Sequence, residues 1–321
     1  MAPPPRPAFA ALPWRHALLA LAVVAVWGSN FVVIEVALRE LPPLLLATLR
    51  FAFAFVPAAL VIKRPAAPWR DLAAYGLLIG AGQFGLIYIA MDGHISPGLA
   101  SLVVQAQVVF TIGFSMRLTG ERVAPFQVGA LVLAAVGIAV IALHAGPDNT
   151  PLGLAMVLGA ALCWAGGNTV ARRSPNADML AYMVWSSLFA IPPLLVLSLV
   201  FEGWPVMAGA LRHADAAAWA AVLWQSGANT LFAYAAWAWL LARHPAATVA
   251  PVSLLVPVFA IAASAWLLAE PLPAWKLAAA ALVLGGLALN LLWPRLRPSS
   301  SPRSPRAAPD RPERPDRSPR D

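Results

Sequence analysis

The sequence contains a single cysteine, Cys163, and only 11% of its 321 residues carry charged side chains. One thiol can build neither an intramolecular disulfide framework nor a thiolate metal cluster. The small number of charges excludes an ordinary soluble domain. A chain that is 60% hydrophobic could not keep so much apolar surface away from water.

Motifs that carry catalytic chemistry are missing as well. The five histidines fall in or beside predicted loops, and there is no His-Glu-x-x-His, no pair of mid-membrane aspartates and no phosphate-binding glycine-rich loop. These absences argue against an intramembrane protease, a metalloenzyme and an ATP-driven pump. We therefore expect no catalytic residues, no metal and no cofactor.

Long apolar runs fill most of the chain instead. About 20 helical residues, at roughly 1.5 Å each, cross the roughly 30 Å hydrocarbon core of a bilayer. Turn signals such as Pro42-Pro43 and charge clusters such as Arg172-Arg173 separate the runs. Ten membrane spans are predicted, at 17–38, 44–62, 71–91, 98–117, 125–143, 152–172, 180–200, 217–241, 247–268 and 274–293.

The distribution of basic residues predicts the orientation of these spans. With both termini in the cytoplasm, only Arg39, Arg212 and Lys276 fall in outside loops. The basic residues on inside segments before the tail are Arg6, Arg15, Lys63, Arg64, Arg70, Arg117, Arg122, Arg172, Arg173 and Arg243. This is the positive-inside bias. If each half holds five spans, an odd number, the second half enters the membrane from the opposite side.

The predicted fold is therefore an all-α polytopic membrane protein, with ten transmembrane helices as two inverted five-helix repeats around a central cavity. The repeats cover 17–143 and 152–293. A disordered cytoplasmic N-terminus, 1–16, precedes them, and a disordered basic tail, 294–321, follows. The charge of that tail fits an anionic lipid surface, and nothing in it indicates a nucleic-acid partner.

Polar side chains inside the spans are the candidates for function. Each is costly in hydrocarbon, so each should face another helix or a water-filled cavity. The predicted substrate-binding residues are Trp27, Asn30, Gln83, Gln105, Gln107, Trp164, Asn168 and Asn229. The amides would bond a small zwitterion and the indoles would wall the cavity. The alternative is that the amides join helices and the tryptophans pack in the core.

Four further residues are predicted to have structural or gating roles. Arg50 lies too deep in its span to reach the membrane surface, so it needs a partner, and Glu35 is the one acid placed clearly within a span. We therefore predict a Glu35–Arg50 pair, with backbone carbonyls or a substrate carboxylate as the alternatives. Pro251 and Pro257 interrupt helical hydrogen bonding in the ninth span, which indicates a kink, a hinge or a ligand contact.

Two acids, Glu121 and Glu270, stand just before the next span. A carboxylate there caps the helix that follows it and complements the helix dipole, so both are predicted to be structural.

Three segments resemble a known family. The run VVAVWGSNFVVIEVALRELPPLLLATLRF is similar to the opening of the EamA-type transporters of the drug/metabolite transporter superfamily. SPGLASLVVQAQVVFTI and VAPVSLLVPVFAIAASAWLLAE resemble the bacterial O-acetylserine/cysteine exporters within that family. The resemblance covers about residues 17–293. Glu35 departs from it, because the family often carries a lysine there.

The resemblance implies ten helices in two inverted repeats, with a cavity lined by helices 1, 3, 4, 6, 8 and 9. It also implies a multi-pass protein of the bacterial inner membrane. The expected function is alternating-access export of small amino-acid-like metabolites such as cysteine or O-acetylserine.

Two other functions stay open. One is a broad drug or aromatic-metabolite exporter, and the other is a non-transporting scaffold that acts through the tail. The expected partners are a small-molecule substrate and membrane lipid, and a homodimer is compatible with this interpretation.

Overall fold

The computed structural model describes residues 12–119, 124–144, 146–147, 149–175, 177–244 and 246–296. Glu121, residues 1–11 of the predicted N-terminal segment and residues 297–321 of the predicted tail lie outside these residues. Within them the secondary structure is helical, and no β-strand is present. Contiguous helical runs give α1 Trp14–Leu38, α2 Pro43–Ala59, α3 Trp69–Met91, α4 97–119, α5 Pro125–Leu143, α6 Pro151–Ala171, α7 Met179–Phe201, α8 Trp204–His213, α9 216–243, α10 246–267 and α11 Ala274–Leu296.

Eight of these helices are long and apolar enough to cross a membrane, namely all except α2, α8 and α9. Helix α2 is apolar but has 17 residues, and α9 is long but carries buried polar side chains at its centre. Helix α8 is a ten-residue amphipathic helix in the segment predicted as a loop between the seventh and eighth spans. The chain is thus an all-helical polytopic membrane protein.

Prolines and short polar residues determine where many of the helices begin. Pro43, Pro97, Pro125 and Pro151 each stand in the first turn of their helix. Proline is tolerated there because its missing N–H would have no partner in the helix. The Thr150 hydroxyl accepts a hydrogen bond from the Gly153 N–H at 3.0 Å and so caps α6.

Four of the helices change their winding partway along. Nine-residue π-helical segments interrupt α3 at Gly76–Phe84 and α9 at Trp224–Phe232. Segments of 3₁₀-helix occur in α4 at Val104–Ala106 and in α10 at Ala250–Leu255. Periodicity alone did not predict these segments, although Pro251 and Pro257 indicated a disturbance in α10. Such windings often occur at functional sites or hinges.

Pro257 of α10 does not leave the backbone carbonyl four residues before it without a hydrogen bond. A proline has no N–H, so in a regular α-helix Pro257 would leave the carbonyl of Ser253 without its helical partner. In the structure that carbonyl accepts a hydrogen bond from the Val256 N–H, because the chain winds as a 3₁₀-helix there. The Ser253 hydroxyl donates to the Ala250 carbonyl at 2.7 Å. The helix is rewound at this point, and the Ser253 carbonyl is already satisfied.

The helices pack in a defined set of neighbours. Helix α2 packs on α7, α5 packs on α11, α1 lies against α9 and α10, and both α3 and α4 lie against α6. Small residues permit the closest approaches. A Cβ at Gly80 would lie 2.1 Å from the Ala190 Cβ, so α3 and α7 can meet this closely only with glycine at that position. The parts of α3, α4, α6 and α9 that carry polar side chains lie inside this bundle.

Glu270 caps a helix other than the one predicted. Its carboxylate accepts hydrogen bonds from the Ser96 hydroxyl at 2.5 Å and the Gly98 N–H at 3.1 Å, which places it at the start of α4. It also pairs with Lys276 at 2.8 Å, and both side chains are buried. The prediction that Glu270 caps the following span, here α11, is therefore wrong. Tertiary packing brings the N-terminus of α4 to this carboxylate.

Glu202 acts in the same way at the end of α7. Its carboxylate accepts hydrogen bonds from the backbone N–H groups of Leu44 at 2.6 Å and Leu45 at 3.1 Å, the first turn of α2. The Ser198 hydroxyl donates to the same carboxylate at 2.5 Å. A carboxylate is favourable at a helix N-terminus because the free N–H groups and the helix dipole attract it. Helices α2 and α7 are thereby joined at one end.

Candidate functional site

The Arg50 side chain lies at the centre of a buried polar network. It is fully buried, and its guanidinium donates to the Tyr88 hydroxyl at 2.9 Å and to the Thr230 hydroxyl at 3.3 Å. Within the part of the chain that the structure describes, no carboxylate forms an ion pair with it. The predicted Glu35–Arg50 pair is therefore wrong. Hydroxyl groups on α3 and α9 take the role that was assigned to Glu35.

Aromatic rings and a second layer of hydrogen bonds complete this network. The guanidinium carbon of Arg50 lies 3.7 Å from the ring centre of Phe84, a cation–π contact. The Tyr88 hydroxyl donates to the Gln225 side-chain oxygen, and the Thr230 hydroxyl donates to the Gln225 carbonyl at 2.8 Å. The π-helical segments of α3 and α9 thus supply Phe84, Gln225 and Thr230 to one cation on α2.

Three aromatic residues form a cluster beside this network. The ring of Trp27 lies 5.6 Å from that of Tyr234 and 5.2 Å from that of Trp237, measured between ring centres. Tyr234 lies one helical turn after Thr230, whose hydroxyl accepts a hydrogen bond from Arg50. The cluster therefore connects α1 and α9 close to the buried cation.

Trp164, the other predicted wall residue, is partly buried on α6 and packs against the main hydrophobic core.

Two of the predicted amides meet directly. The Asn168 amide donates to the Gln107 side-chain oxygen at 3.2 Å, and the Thr111 hydroxyl donates to the same oxygen at 3.4 Å. Gln107 follows the 3₁₀ segment of α4, and Asn168 lies on α6. The contact therefore joins the first and second halves of the chain.

Gln105 lies in a different environment, although it is two residues from Gln107. Its side chain lines a gap between α4, α5 and α11, together with Asn290 and apolar residues. The gap has a volume of about 10 Å³. This is barely room for one water molecule, so no metabolite fits beside Gln105 in this state.

The remaining predicted amides are buried. Asn30, Gln83 and Asn229 lie on α1, α3 and α9, each about 5% exposed or less. The side-chain oxygens of Asn30 and Gln83 accept no hydrogen bond from the described residues. Leaving a buried acceptor without a hydrogen-bond donor is costly in free energy. A ligand that donated hydrogen bonds to these two oxygens would remove that cost.

A wider cavity opens at one end of the bundle. Its volume is about 320 Å³, and its wall includes Arg39, Glu40, Asp92 and His213. Glu35 is partly buried on α1, one helical turn before Arg39. The charged residues lie at this mouth, while the amides and Arg50 lie in the interior.

Tyr88, Gln225 and Tyr234 were not among the predicted site residues. Phe84 and Thr230 were missed. Arg50 itself could have indicated the residues around it, because a buried guanidinium needs several hydrogen-bond partners and contact with aromatic rings. The spacing of Phe84 and Tyr88, four residues apart on α3, places both on one face of a helix.

The fold and this interior define an integral membrane protein with buried amides, aromatic rings and the buried Arg50 cation in its interior. Sequence comparison identifies the family, because the model of the EamA-like transporter family matches residues 14–143 and again residues 151–292. The chain belongs to the EamA-like transporter family.

Two curated relatives match across nearly their whole length. A protein of Salmonella typhimurium described as a probable amino-acid metabolite efflux pump is 39% identical, over 88% of this chain and 97% of its own length. Its counterpart from Escherichia coli K12, with the same description, is 37% identical over the same shares. A crystal structure with 20% sequence identity aligns at a TM-score of 0.60, over 89% of this chain and 99% of that one, which supports the fold alone.

Proposed function

We propose that this chain exports small amino-acid-like metabolites, with cysteine and O-acetylserine as the leading candidates, across the bacterial inner membrane. The observation that carries the proposal is the similarity to two relatives described as probable amino-acid metabolite efflux pumps, over almost the whole of both chains. The buried amides and the indole cluster support it, because they offer hydrogen bonds and a flat apolar wall to a small zwitterion.

The proposed architecture is ten spans in two inverted five-helix repeats. Three observations support it. The family model matches the two halves separately, each half carries one nine-residue π segment, and each carries one 3₁₀ segment in the helix after it. Paired interruptions in corresponding helices are typical of transporters built from repeats.

Cysteine accessibility tests the inverted topology. Arg64 follows α2, and Arg212 lies on α8, so they occupy corresponding connections of the two halves, and both are exposed. In a Cys163→Ser background, an impermeant maleimide added to intact spheroplasts should label Arg212→Cys and leave Arg64→Cys unlabelled. Permeabilised cells provide the control, because both positions should react there. Labelling of both positions in intact spheroplasts would contradict the inverted repeat.

Alternating access is the proposed mechanism. A 320 Å³ cavity at one end and a buried polar interior are compatible with a state in which the central site is closed. The proposed site consists of Trp27, Asn30, Gln83, Gln107, Trp164, Asn168 and Asn229, and it leaves out Gln105, which lies in the narrow gap between α4, α5 and α11. Glu35, Arg50, Pro251 and Pro257 are proposed to support its structure or its opening.

Gln107→Leu tests the site. We expect efflux of labelled cysteine and O-acetylserine to fall about tenfold or more, because the substitution removes the acceptor shared by Asn168 and Thr111 and leaves the Asn168 amide unpaired. Efflux would be measured from preloaded cells at matched expression.

Gln105→Leu is the comparison for this experiment, since it changes the same residue type in the α4–α5–α11 gap. Wild-type efflux in Gln107→Leu would remove Gln107 from the site. Loss of efflux in Gln105→Leu alone would place the substrate path in that gap.

A broad exporter of aromatic compounds is the second candidate, and the cluster of Trp27, Tyr234 and Trp237 favours it. A panel of labelled amino acids and aromatic compounds separates the two candidates. Preference for cysteine and O-acetylserine supports the first, and equal efflux of unrelated aromatic compounds supports the second.

A further inference from the structure

The buried cation on α2 has no counter-charge in the described residues. The guanidinium of Arg50 is compensated by two hydroxyls and the face of Phe84, while the ion pairs in this part of the chain involve other residues. Removing a charge from water is costly, and neutral partners recover only part of that cost. Ionisable groups at this depth usually line a substrate or ion pathway. A bound anion would supply the missing charge.

The hydrogen bonds leave two donors free beside Tyr88. The Tyr88 hydroxyl accepts from Arg50, so its own proton goes to Gln225, which must present its side-chain oxygen. The Gln225 NH₂ group then faces away from Tyr88, and it has no partner among the described residues. The Nε of Arg50 also has none. Both side chains contact the same hydroxyl, so the two free donors belong to one small region.

Two free donors of this kind match the two oxygens of a carboxylate. A guanidinium binds carboxylates strongly because its planar N–H groups fit their geometry, and an amide NH₂ adds a second contact. The amide oxygens of Asn30 and Gln83 are buried acceptors without donors. Gln83 precedes Phe84 on α3, and α1, which carries Asn30, packs against the π segment of α9. An α-ammonium group could donate to such oxygens.

We infer that Arg50 and Gln225 form the subsite that binds the carboxylate of the transported metabolite. This inference rests on the proposed export function. The substrate class is then an α-amino acid or a derivative that keeps its free carboxylate. Arg50 is fully buried in this state, so the subsite is closed. Gln225 lies on a π-helical segment, a winding that is frequent at functional sites, and movement of that segment would admit the carboxylate.

Ligand-dependent thermal stability of the purified protein tests the subsite without requiring transport. The probes are L-cysteine, 3-mercaptopropionate, which lacks the amine, and cysteamine, which lacks the carboxylate. We expect L-cysteine at saturation to raise the melting temperature of the wild type by about 3 °C or more. 3-Mercaptopropionate should raise it less, and cysteamine should leave it unchanged. Equal stabilisation by cysteamine and L-cysteine would overturn the subsite. So would the absence of stabilisation by both probes that carry a carboxylate, L-cysteine and 3-mercaptopropionate.

Two substitutions assign the effect to residues. In Arg50→Gln the apparent affinity for cysteine should fall about tenfold or more, and the preference for cysteine over cysteamine should disappear. Gln225→Leu should weaken the same preference and provides the test if Arg50→Gln does not fold. Arg243→Gln is the matched control, because Arg243 is exposed at the end of α9. A preference unchanged in both Arg50→Gln and Gln225→Leu would overturn the assignment.

Efflux measurements separate this inference from the proposed function. Carboxylate-dependent stabilisation with no efflux of cysteine or O-acetylserine would keep the subsite and reject the export proposal. Efflux of cysteine that is unaffected by Gln225→Leu, together with stabilisation by cysteamine, would keep export and reject the subsite.

Discussion

Replacing Lys276 by methionine should lower the free energy of unfolding by about 3–5 kcal/mol, because it leaves a buried carboxylate without its cation. The Lys276 ammonium lies 2.8 Å from Glu270, and the two side chains are only 5% and 7% exposed. Glu270 also holds the first turn of α4 through Ser96 and Gly98. The loss would therefore disturb α4 as well as the start of α11.

Chemical unfolding in detergent or bicelles measures this effect. Arg70→Met is the control, since Arg70 is 85% exposed and its nitrogen lies 3.9 Å from Asp71. The Asp71 side chain is buried, but it keeps a second cation, Arg173 at 3.6 Å, so losing the exposed Arg70 should cost only about 0–1 kcal/mol. A Lys276→Met protein as stable as Arg70→Met would show that the buried pair does not join α4 and α11.

Replacing Gly28 by leucine should abolish export and lower the yield of folded protein. A Cβ at this position would lie 2.5 Å from the Phe259 Cβ and 2.6 Å from the Val256 carbonyl oxygen. Helices α1 and α10 would have to separate, and overpacking of this size costs about 1–3 kcal/mol or more. Trp27 and Asn30 lie on the same turn of α1 as Gly28, so the proposed site would move with the helix.

Gly28→Ala should have the same effect to a smaller degree, and Gly113→Leu provides the control. No atom lies within 4 Å of a Cβ at Gly113 on α4. Size-exclusion chromatography of a fluorescent fusion measures folding, and efflux of labelled cysteine measures activity. Normal folding and efflux in Gly28→Leu would mean that α1 and α10 do not need this close contact.

Much of the fold could be predicted because the bilayer imposes simple rules on a sequence. Apolar runs of sufficient length predicted helices at every position where the structure has a long one, within a few residues at each end. The amphipathic helix α8 was missed, because a ten-residue helix has no membrane-spanning apolar run to reveal it. The two π segments and the 3₁₀ segment of α4 were missed because their sequences fit an ordinary helix equally well, whereas Pro251 and Pro257 indicated a disturbance in α10.

The candidate site could be predicted only by residue type. Buried amides at Asn30, Gln83 and Asn229 follow from the cost of polar groups in hydrocarbon, and the contact between Gln107 and Asn168 agrees with that reasoning. Which amides meet, and that Gln105 lies in a separate gap, depends on helix rotation and packing. A linear pattern does not contain that information.

The sequence by itself determined that this chain is an all-helical membrane protein, because hydrocarbon allows a backbone to cross it only when its hydrogen bonds are satisfied internally. Tertiary structure alone decided the partners of the buried charges. Arg50 is held by Tyr88 and Thr230 instead of Glu35, and Glu270 caps α4 instead of α11. The physical reason is that a charge inside a protein binds whichever polar groups the packing of distant helices brings to it, whatever their separation along the chain.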